Sequence, residues 1–266
     1  MLSRMPYKNS KALLFRAFFL SHFLFFLSCK SQEIQISTLN YLECPKTEVS
    51  DSVIHHVGYS LLYNEKHEQA NWVSYVNNPF KMSGTIKRKN SFRSDPLIPS
   101  KSAESADYKN SGLDRGHLAP AADMKWSTVA MKESFYMSNI SPQKPSFNRG
   151  IWKKLETEVR NWTLSSDSIY VVTGPFLNDS LSTIGANNVS IPSAFFKVLL
   201  KFKDNKKQGI GFIMPNEAST LPLSSFATNI DYVEEITKLD FFYLFSDDDE
   251  MLFESEICSS CWFNNE

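Results

Sequence analysis

The segments DRGHLAP at residues 114–120, SNISPQ at 138–143 and NRGIWKKLE at 148–156 decide the fold. Within this one region a histidine flanked by arginine and glycine is followed by two asparagines and a glutamate. Side chains of these types can bind a cation and transfer a proton. The chain before this region is interpreted as targeting and substrate contacts, and the chain after it as scaffold.

Three kinds of side chain in and near this region suit the hydrolysis of a phosphodiester. His117 can activate a water molecule, because imidazole is the side chain most easily poised as a base near neutral pH. Asn148 offers one neutral oxygen to a magnesium ion, which keeps several waters and often takes only one or two protein ligands. Arg115, Arg88 or Arg93 can supply positive charge, since a guanidinium forks onto phosphate oxygens.

Helical spacing connects Asn148 to a carboxylate further along the chain. Asn148, Trp152 and Glu156 are four residues apart and lie along one helix face. Because eight residues rise roughly 12 Å, Glu156 is expected to reach the metal through a water and Asn148 directly. Taken singly, Asn148 also suits an ordinary helix N-cap and Glu156 a solvated helix carboxylate.

Composition allows one sizeable core, and the charge is unevenly spread. The 266 residues are 42% apolar and 14% aromatic, with a net charge of −1. Residues 81–93 contain five basic and no acidic side chains, whereas 231–256 contain ten acidic side chains and one lysine. The acidic run is typical of a solvated face. The basic run is interpreted as either a solvated face or a phosphate-facing surface.

Periodicity predicts a single α+β domain at residues 53–257. Asp231 is expected to cap a further short helix, and no internal repeat or linker follows residue 52. The predicted strands are 53–63, 71–76, 135–140, 168–173, 194–202 and 208–214, and the predicted helices are 127–133 and 149–162.

Residues 1–29 are predicted to be an export segment. Basic residues precede an apolar run at 12–27, whose uninterrupted part is too short to span a bilayer comfortably. The run stops at Ser28-Cys29, which resembles the site where a bacterial lipoprotein is cut and lipidated. Three outcomes remain open: a lipoprotein anchored through Cys29, a periplasmic or secreted protein, and an uncleaved anchor. Residues 30–52 are interpreted as a tether.

The cysteines fit an exported chain. Cys258 and Cys261 lie in a predicted C-terminal tail, 258–266, where they could form a disulfide, a redox pair or half of a zinc site. A zinc site would need two more ligands nearby, and a thioredoxin-like motif would need a βαβ pattern around it. A disulfide within this pair, or a bridge from Cys44 to one of the two, is the preferred interpretation.

The block from 113 to 160 resembles the DNA/RNA non-specific endonucleases, the ββα-metal nucleases that include endonuclease G and secreted sugar-nonspecific nucleases. The three segments quoted above carry the resemblance, and it extends over about 53–245 through NWVSY at 71–75, TGP at 173–175 and IPSAFFK at 191–197. It implies an α+β fold with a ββα-metal core and a mixed, mainly antiparallel central sheet flanked by helices. It also implies DNA and RNA as substrates and Mg²⁺ as cofactor, with Mn²⁺ as a substitute.

The resemblance assigns roles to the residues of the motif. It implies that His117 is the general base, that Asn148 binds magnesium directly, and that Glu156 holds the metal's water shell. Asn139 would brace the site beside the histidine, and Arg115 would stabilise the phosphate or the leaving group.

An upstream arginine also belongs to the family pattern, before the Asp-Pro pair that is here at 95–96. Both Arg88 and Arg93 fall in that window, and Arg88 is the preferred catalytic residue. Arg93, Lys87 and Arg149 are then assigned to substrate binding. Asp114 is expected to anchor the loop, and the small Gly116 to let backbone and substrate approach closely.

Two alternatives belong to other functional classes. A catalytically silent, surface-tethered protein could bind nucleic acid in the same cleft, but it should show losses at His117 or Asn148. A structural or adhesive lipoprotein would leave the ordered polar motifs without an explanation. The complete motif therefore favours a metal-dependent, sequence-nonspecific endonuclease.

Lipid attachment at Cys29 is testable by substitution. Cys29→Ser should abolish incorporation of a labelled fatty-acid analogue and impair processing at that junction, because the acyl group is carried on the cysteine. The activity of the catalytic domain should not change. A parent protein that carries no label and appears free in the medium would leave plain secretion as the explanation.

Overall fold

Strands form where β-branched and aromatic residues concentrate. The computed structural model describes residues 41–263, and in it seven strands make one sheet in the order β1-β2-β3-β6-β9-β10-β11. Strands β4 with β5, and β7 with β8, make two small hairpins. The strands are β1 (Val53–His55), β2 (Ser60–Asn64), β3 (Gln69–Asn77), β4 (Asp114–His117), β5 (Ile140–Gln143), β6 (Ser168–Pro175), β7 (Thr183–Ile184), β8 (Val189–Ser190), β9 (Ala194–Lys203), β10 (Lys206–Pro215) and β11 (Ala227–Thr228).

The helices lie between and after these strands. The α-helices are α1 (Pro79–Met82), α2 (Thr128–Glu133), α3 (Pro145–Phe147), α4 (Lys153–Leu164), α5 (Ile230–Thr237), α6 (Asp247–Glu254) and α7 (Ser259–Trp262). A π-helical segment, Asn148–Trp152, joins α3 to α4, and short 3₁₀ turns occupy Ala121–Met124, Met137–Asn139 and Leu223–Phe226. The α+β class expected from the sequence is confirmed.

The main sheet separates two hydrophobic clusters. On the central strand β9, Phe195 and Leu199 join one cluster together with Trp152 and other residues near α4. Phe196 and its neighbours at alternate positions join the other cluster, with Val233 of α5. Because successive side chains of a strand point to opposite faces, β9 contributes to both layers. Every strand pair in the large sheet is antiparallel, in agreement with the mainly antiparallel central sheet expected from the sequence.

Three local predictions differ from the structure. The strand predicted at 53–63 is a hairpin, β1 and β2, closed by a backbone hydrogen bond from His56 N to Tyr59 O. The strand predicted at 135–140 is mostly a turn, and β5 begins only at Ile140. Helix α5 is capped by Asn229, whose side chain accepts from Tyr232 N, while the predicted cap Asp231 lies inside the first turn.

The boundaries of the domain are wider than predicted. Cys44 is 8% exposed and packs in a core cluster, and Lys46 N donates to Asp240 O at 2.8 Å. The compact unit therefore begins at Glu43 and includes the end of the predicted tether. Trp262 is 3% exposed and meets the Trp162 ring edge-on at 5.0 Å. The predicted tail is thus part of the core as far as it is described.

Of the two disulfide pairings preferred from the sequence, the structure has the one within the C-terminal pair. Cys258 and Cys261 form a disulfide, and Cys44 is a buried free thiol. The export segment with Ser28-Cys29, and the tether up to residue 40, lie outside the described residues. Within 41–263 no helix has both the length and the apolar character needed to cross a membrane.

Candidate active site

The quoted region folds as a β-hairpin followed by a helix. Strands β4 and β5 pair antiparallel, with His117 opposite Ile140 and Asp114 opposite Gln143. A side chain at Gly116 would collide with the Gln143 amide, so glycine is needed here for close packing inside the hairpin. The chain then enters the π-helical segment and α4. This path brings the start of the helix beside β4.

A pocket of about 660 Å³ lies between the hairpin and the helix. It contains His117 from β4, Asn148 from the π-helical segment and Glu156 from α4. Basic side chains outnumber acidic ones around it. The basic lining residues are Arg88, Arg115, Arg149, Lys153 and Arg160, and the acidic ones are Asp114 and Glu156. Such an excess favours a polyanionic ligand.

His117 is held in an aromatic environment at the floor of the pocket. It is 8% exposed, and its ring meets Phe135 edge-on at 5.0 Å and lies 5.6 Å from Phe92. Burial, and then the Arg88 charge, lower its pKa to about 3. The imidazole is therefore neutral at physiological pH. Its Nε2 atom is buried and has no hydrogen-bond partner within residues 41–263.

Asn139 lies behind the histidine and does not line the pocket. It is fully buried, and its Nδ2 donates to Ala119 O and to Ser134 O, both at 2.9 Å. Its Oδ1 accepts from Ala119 N at 2.8 Å, and its backbone oxygen accepts from Leu118 N at 3.0 Å. Asn139 thus fixes the chain immediately after His117. Its side chain holds the loop that follows His117 and does not reach the pocket.

Asp114 connects the hairpin to the start of the helix. Its carboxylate accepts from Asn148 Nδ2 at 2.8 Å and from Arg149 Nε and Nη2 at 2.8 and 2.6 Å. Burial raises the pKa of Asp114, but hydrogen bonds from Arg149 and Asn148 outweigh it and hold the pKa below its usual value. The carboxylate therefore acts as an anchor, as expected from the sequence.

The same contact orients the Asn148 amide. Because Nδ2 is bound to Asp114, the oxygen Oδ1 is the atom left to coordinate a cation. The side chain does not cap a helix, so the ordinary N-cap explanation for Asn148 fails. A non-helical backbone at Gly150 (φ −101°, ψ −114°) separates Asn148 from α4.

Glu156 lies on the first turn of α4 in a partly buried, charged environment. Burial raises its pKa, and the Lys197 ammonium opposes that rise. Lys197 is fully buried on β9, with its Nζ 4.7 Å from the centre of the Trp152 ring. No hydrogen-bond partner of that Nζ is found among the described residues.

Arg160 is a pocket residue that the sequence reasoning missed. Its Nη1 donates to Asp123 Oδ1 at 3.0 Å, and Asn77 Nδ2 donates to the other oxygen of Asp123 at 3.0 Å. Arg160 follows Glu156 by four residues and so shares its helix face. That spacing could have identified Arg160 from the sequence. No sequence pattern marked Asp123, because its position beside Arg160 is set by the tertiary fold.

The predicted arginines divide into those inside the pocket and those outside it. Arg88 lines the pocket and lies 5.3 Å over the Phe135 ring, and Arg115 lines it too, donating to Ser105 Oγ. Arg93 instead stacks 4.5 Å over Tyr136 and faces a separate depression with Lys132.

Of the residues assigned to substrate binding, only Arg149 lines the pocket. Lys87 is exposed and, like Arg93, is not part of the lining. Proximity in sequence to the motif did not predict which basic side chains turn inward, because successive residues of an extended segment point to opposite sides.

The pocket's donor set fits magnesium. Asn148 Oδ1 and the Glu156 carboxylate are hard oxygen donors facing one basic cavity, and magnesium prefers few such ligands together with water. His117 lines the same cavity with a neutral ring, which suits proton transfer.

Comparison with known proteins agrees with this geometry. A sequence model of the family described as DNA/RNA non-specific endonuclease matches residues 37–248. Human mitochondrial endonuclease G is 36% identical over 196 residues, which cover 68% of this chain and 66% of that protein. Nuclease C1 of Cunninghamella echinulata var. echinulata is 36% identical over 201 residues, covering 69% and 80%.

A solved structure shares the fold. The crystal structure of the EndoG/EndoGI complex, which concerns the mechanism of EndoG inhibition, matches with a TM-score of 0.73 and 31% identity, over 80% of this chain and 94% of that one. The family resemblance drawn from the motifs is confirmed, and the chain belongs to the DNA/RNA non-specific endonuclease family.

Proposed function

We propose that the chain is a magnesium-dependent endonuclease that hydrolyses phosphodiester bonds of DNA and RNA without sequence specificity. The observation that carries the proposal is the convergence of His117, Asn148 and Glu156 on one basic pocket. Family membership supports nucleic-acid hydrolysis. The intact set of polar residues favours an enzyme over a silent binding protein.

Proton transfer is assigned to His117. Its neutral ring lines the pocket, which suits removal of a proton from the attacking water. A pKa near 3 is too low for an efficient base, but a phosphate anion entering the pocket favours the imidazolium and raises that pKa. Substrate binding would therefore tune the base toward neutral pH.

The cation is assigned to Asn148 and Glu156. Asn148 would hold magnesium directly through Oδ1, and Glu156 would hold a water of its shell. When bound, the ion polarises the phosphate and stabilises the leaving oxygen. Arg88, Arg115 and Arg160 bind the non-bridging oxygens, since guanidinium groups fork onto phosphate. Contacts to phosphate carry no base information, which is consistent with action on many sequences.

The protein is proposed to act outside the cytoplasm. The export pattern at 1–29 supports this location, with Cys29 as the site of a lipid anchor or, in the alternative, free secretion into the periplasm or medium. The Cys258–Cys261 disulfide supports an oxidising compartment. A nuclease that does not read sequence would attack the producing cell's own genome, which gives export a functional reason.

Substitution of the base should stop the chemistry and spare binding. His117→Ala is expected to lower the cleavage rate by about 10²–10⁴-fold, the usual contribution of proton transfer, while nucleic-acid binding in EDTA stays close to that of the parent. His55→Ala, an exposed histidine outside the pocket, is the matched control. Cleavage by His117→Ala within a few-fold of the parent would show that another group is the base.

The two metal-site residues should differ in a magnesium titration. Asn148→Ala is expected to lose more activity than Glu156→Ala, and to need more magnesium for what remains, because one ligand is direct and the other acts through water. Glu158→Ala, on the same helix but outside the pocket lining, should behave like the parent. Equal losses at 148 and 156 would indicate direct coordination by Glu156.

The upstream arginines provide a matched pair. Arg88→Ala is expected to lower kcat/KM by about 10- to 100-fold, the value of one charge-assisted hydrogen bond to phosphate. Arg93→Ala should change kcat/KM by less than about threefold, because its side chain lies over Tyr136 outside the pocket. Steady-state kinetics on a short duplex measure both. A larger loss for Arg93→Ala would reverse the assignment.

A further inference from the structure

A second group of carboxylates lies away from the active site, between helices α5 and α6. One oxygen each from Asp231, Glu234 and Glu254 lies within 4.8 Å of the other two. The residues beside them, Val233 and Phe253, pack in the cluster on one face of the main sheet. The active-site helix α4 packs in the cluster on the opposite face. The two sites are therefore separate.

The buried member of this group lacks any partner. Glu254 is 6% exposed, and its Oε1 accepts no hydrogen bond from any residue in the described range 41–263. Nor does a lysine, arginine or histidine within that range form an ion pair with Glu254; Lys207, at the same end of the sheet, pairs instead with Asp249 at 3.1 Å. A buried carboxylate without a hydrogen bond or countercharge is costly. Either a bound proton or a cation is needed to neutralise it.

The surroundings of Glu254 add to that need. Burial first, and then the carboxylates of Glu234, Glu250, Asp231 and Asp240, raise its pKa to about 9. Glu254 is also the last residue of α6, where the helix dipole places partial negative charge and favours a cation. The neighbouring carboxylates and the helix dipole therefore both favour positive charge at this point.

The backbone around the three carboxylates is fixed. Asn229 Nδ2, at the start of α5, donates to Ser255 O at 2.8 Å and so ties α5 to the end of α6. Glu234 Oε1 accepts from Phe241 N at 2.6 Å, which leaves its other oxygen for a ligand. A side chain at Gly209 would collide with Phe253 O, so glycine on β10 lets the last turn of α6 pack directly on the sheet.

We propose that Asp231, Glu234 and Glu254 form a structural calcium site that joins α5 to α6. Calcium holds its oxygen ligands at about 2.3–2.6 Å, so two ligands across one ion are about 5 Å apart, and the spacing of these oxygens suits a single ion. Three carboxylates with water completing the shell suit calcium, which accepts flexible, oxygen-rich geometry. Magnesium usually binds through only one or two carboxylates.

Binding can be measured without interference from the catalytic metal. Calorimetric titration of CaCl₂ into the Asn148→Ala chain should give one site. Adding Asp231→Asn, at an exposed position that does not threaten folding, should weaken that site at least tenfold. Adding Glu235→Gln instead, an exposed carboxylate of the same helix, should leave the affinity unchanged. Absence of binding, or equal affinity in the two double variants, would overturn the proposal.

Thermal unfolding gives a second readout. When calcium exceeds its dissociation constant about a hundredfold, Tm of the Asn148→Ala chain should rise by about 5 °C or more over its value in EDTA. Glu254→Gln in the same background should unfold in EDTA at the same or a higher Tm, because a neutral amide replaces a buried carboxyl group that has no countercharge, and should gain nothing from calcium. If calcium raises both values equally, or neither, a bound proton and not a cation neutralises Glu254.

Discussion

The hydrogen bonds received by the Asp114 carboxylate hold the site together. Asp114 belongs to the same strand as His117, and it binds the side chains of Asn148 and Arg149 at the entrance to the helix. Two elements that are far apart in sequence are thereby kept at a fixed separation. The contact also turns the Asn148 amide so that its oxygen is free. Without it, the hairpin alone would fix neither the distance from His117 to Asn148 nor the orientation of the Asn148 amide.

The second requirement is a basic pocket in which the histidine is buried. His117 lies among phenylalanine rings, which keep it neutral, and Glu156 and Lys197 lie close together on the sheet side of the helix. Groups placed in this way are poorly solvated before substrate arrives, and their interactions with a phosphate and a cation are correspondingly stronger. The same burial lowers the pKa of His117. The pocket is therefore suited to a substrate that brings its own negative charge.

The sequence predicted the site residues better than the local backbone structure around them. Helical spacing linked Asn148 to Glu156, and the family resemblance added His117, but the strand pair that carries His117 was not among the predicted elements. The turn at 137–139 was not predictable from periodicity, since it is held by side-chain hydrogen bonds of Asn139 to residues distant in sequence. The π-helical segment was not predicted for a related reason, because Asn148 binds Asp114 instead of capping a helix. Burial of Cys44 and Trp262 likewise depends on tertiary contacts that a polar flanking sequence does not reveal.

The central claim is that this pocket cleaves nucleic acid through a magnesium-dependent reaction. The most direct measurement incubates the purified chain with supercoiled plasmid and, separately, with a folded RNA, in EDTA and after magnesium is restored. The account predicts no cleavage in EDTA and, with magnesium, random internal cuts in both polymers that convert the plasmid first to open-circular and then to linear forms. Binding of both nucleic acids without any cutting in magnesium or manganese would contradict it and would identify the chain as a silent binding protein.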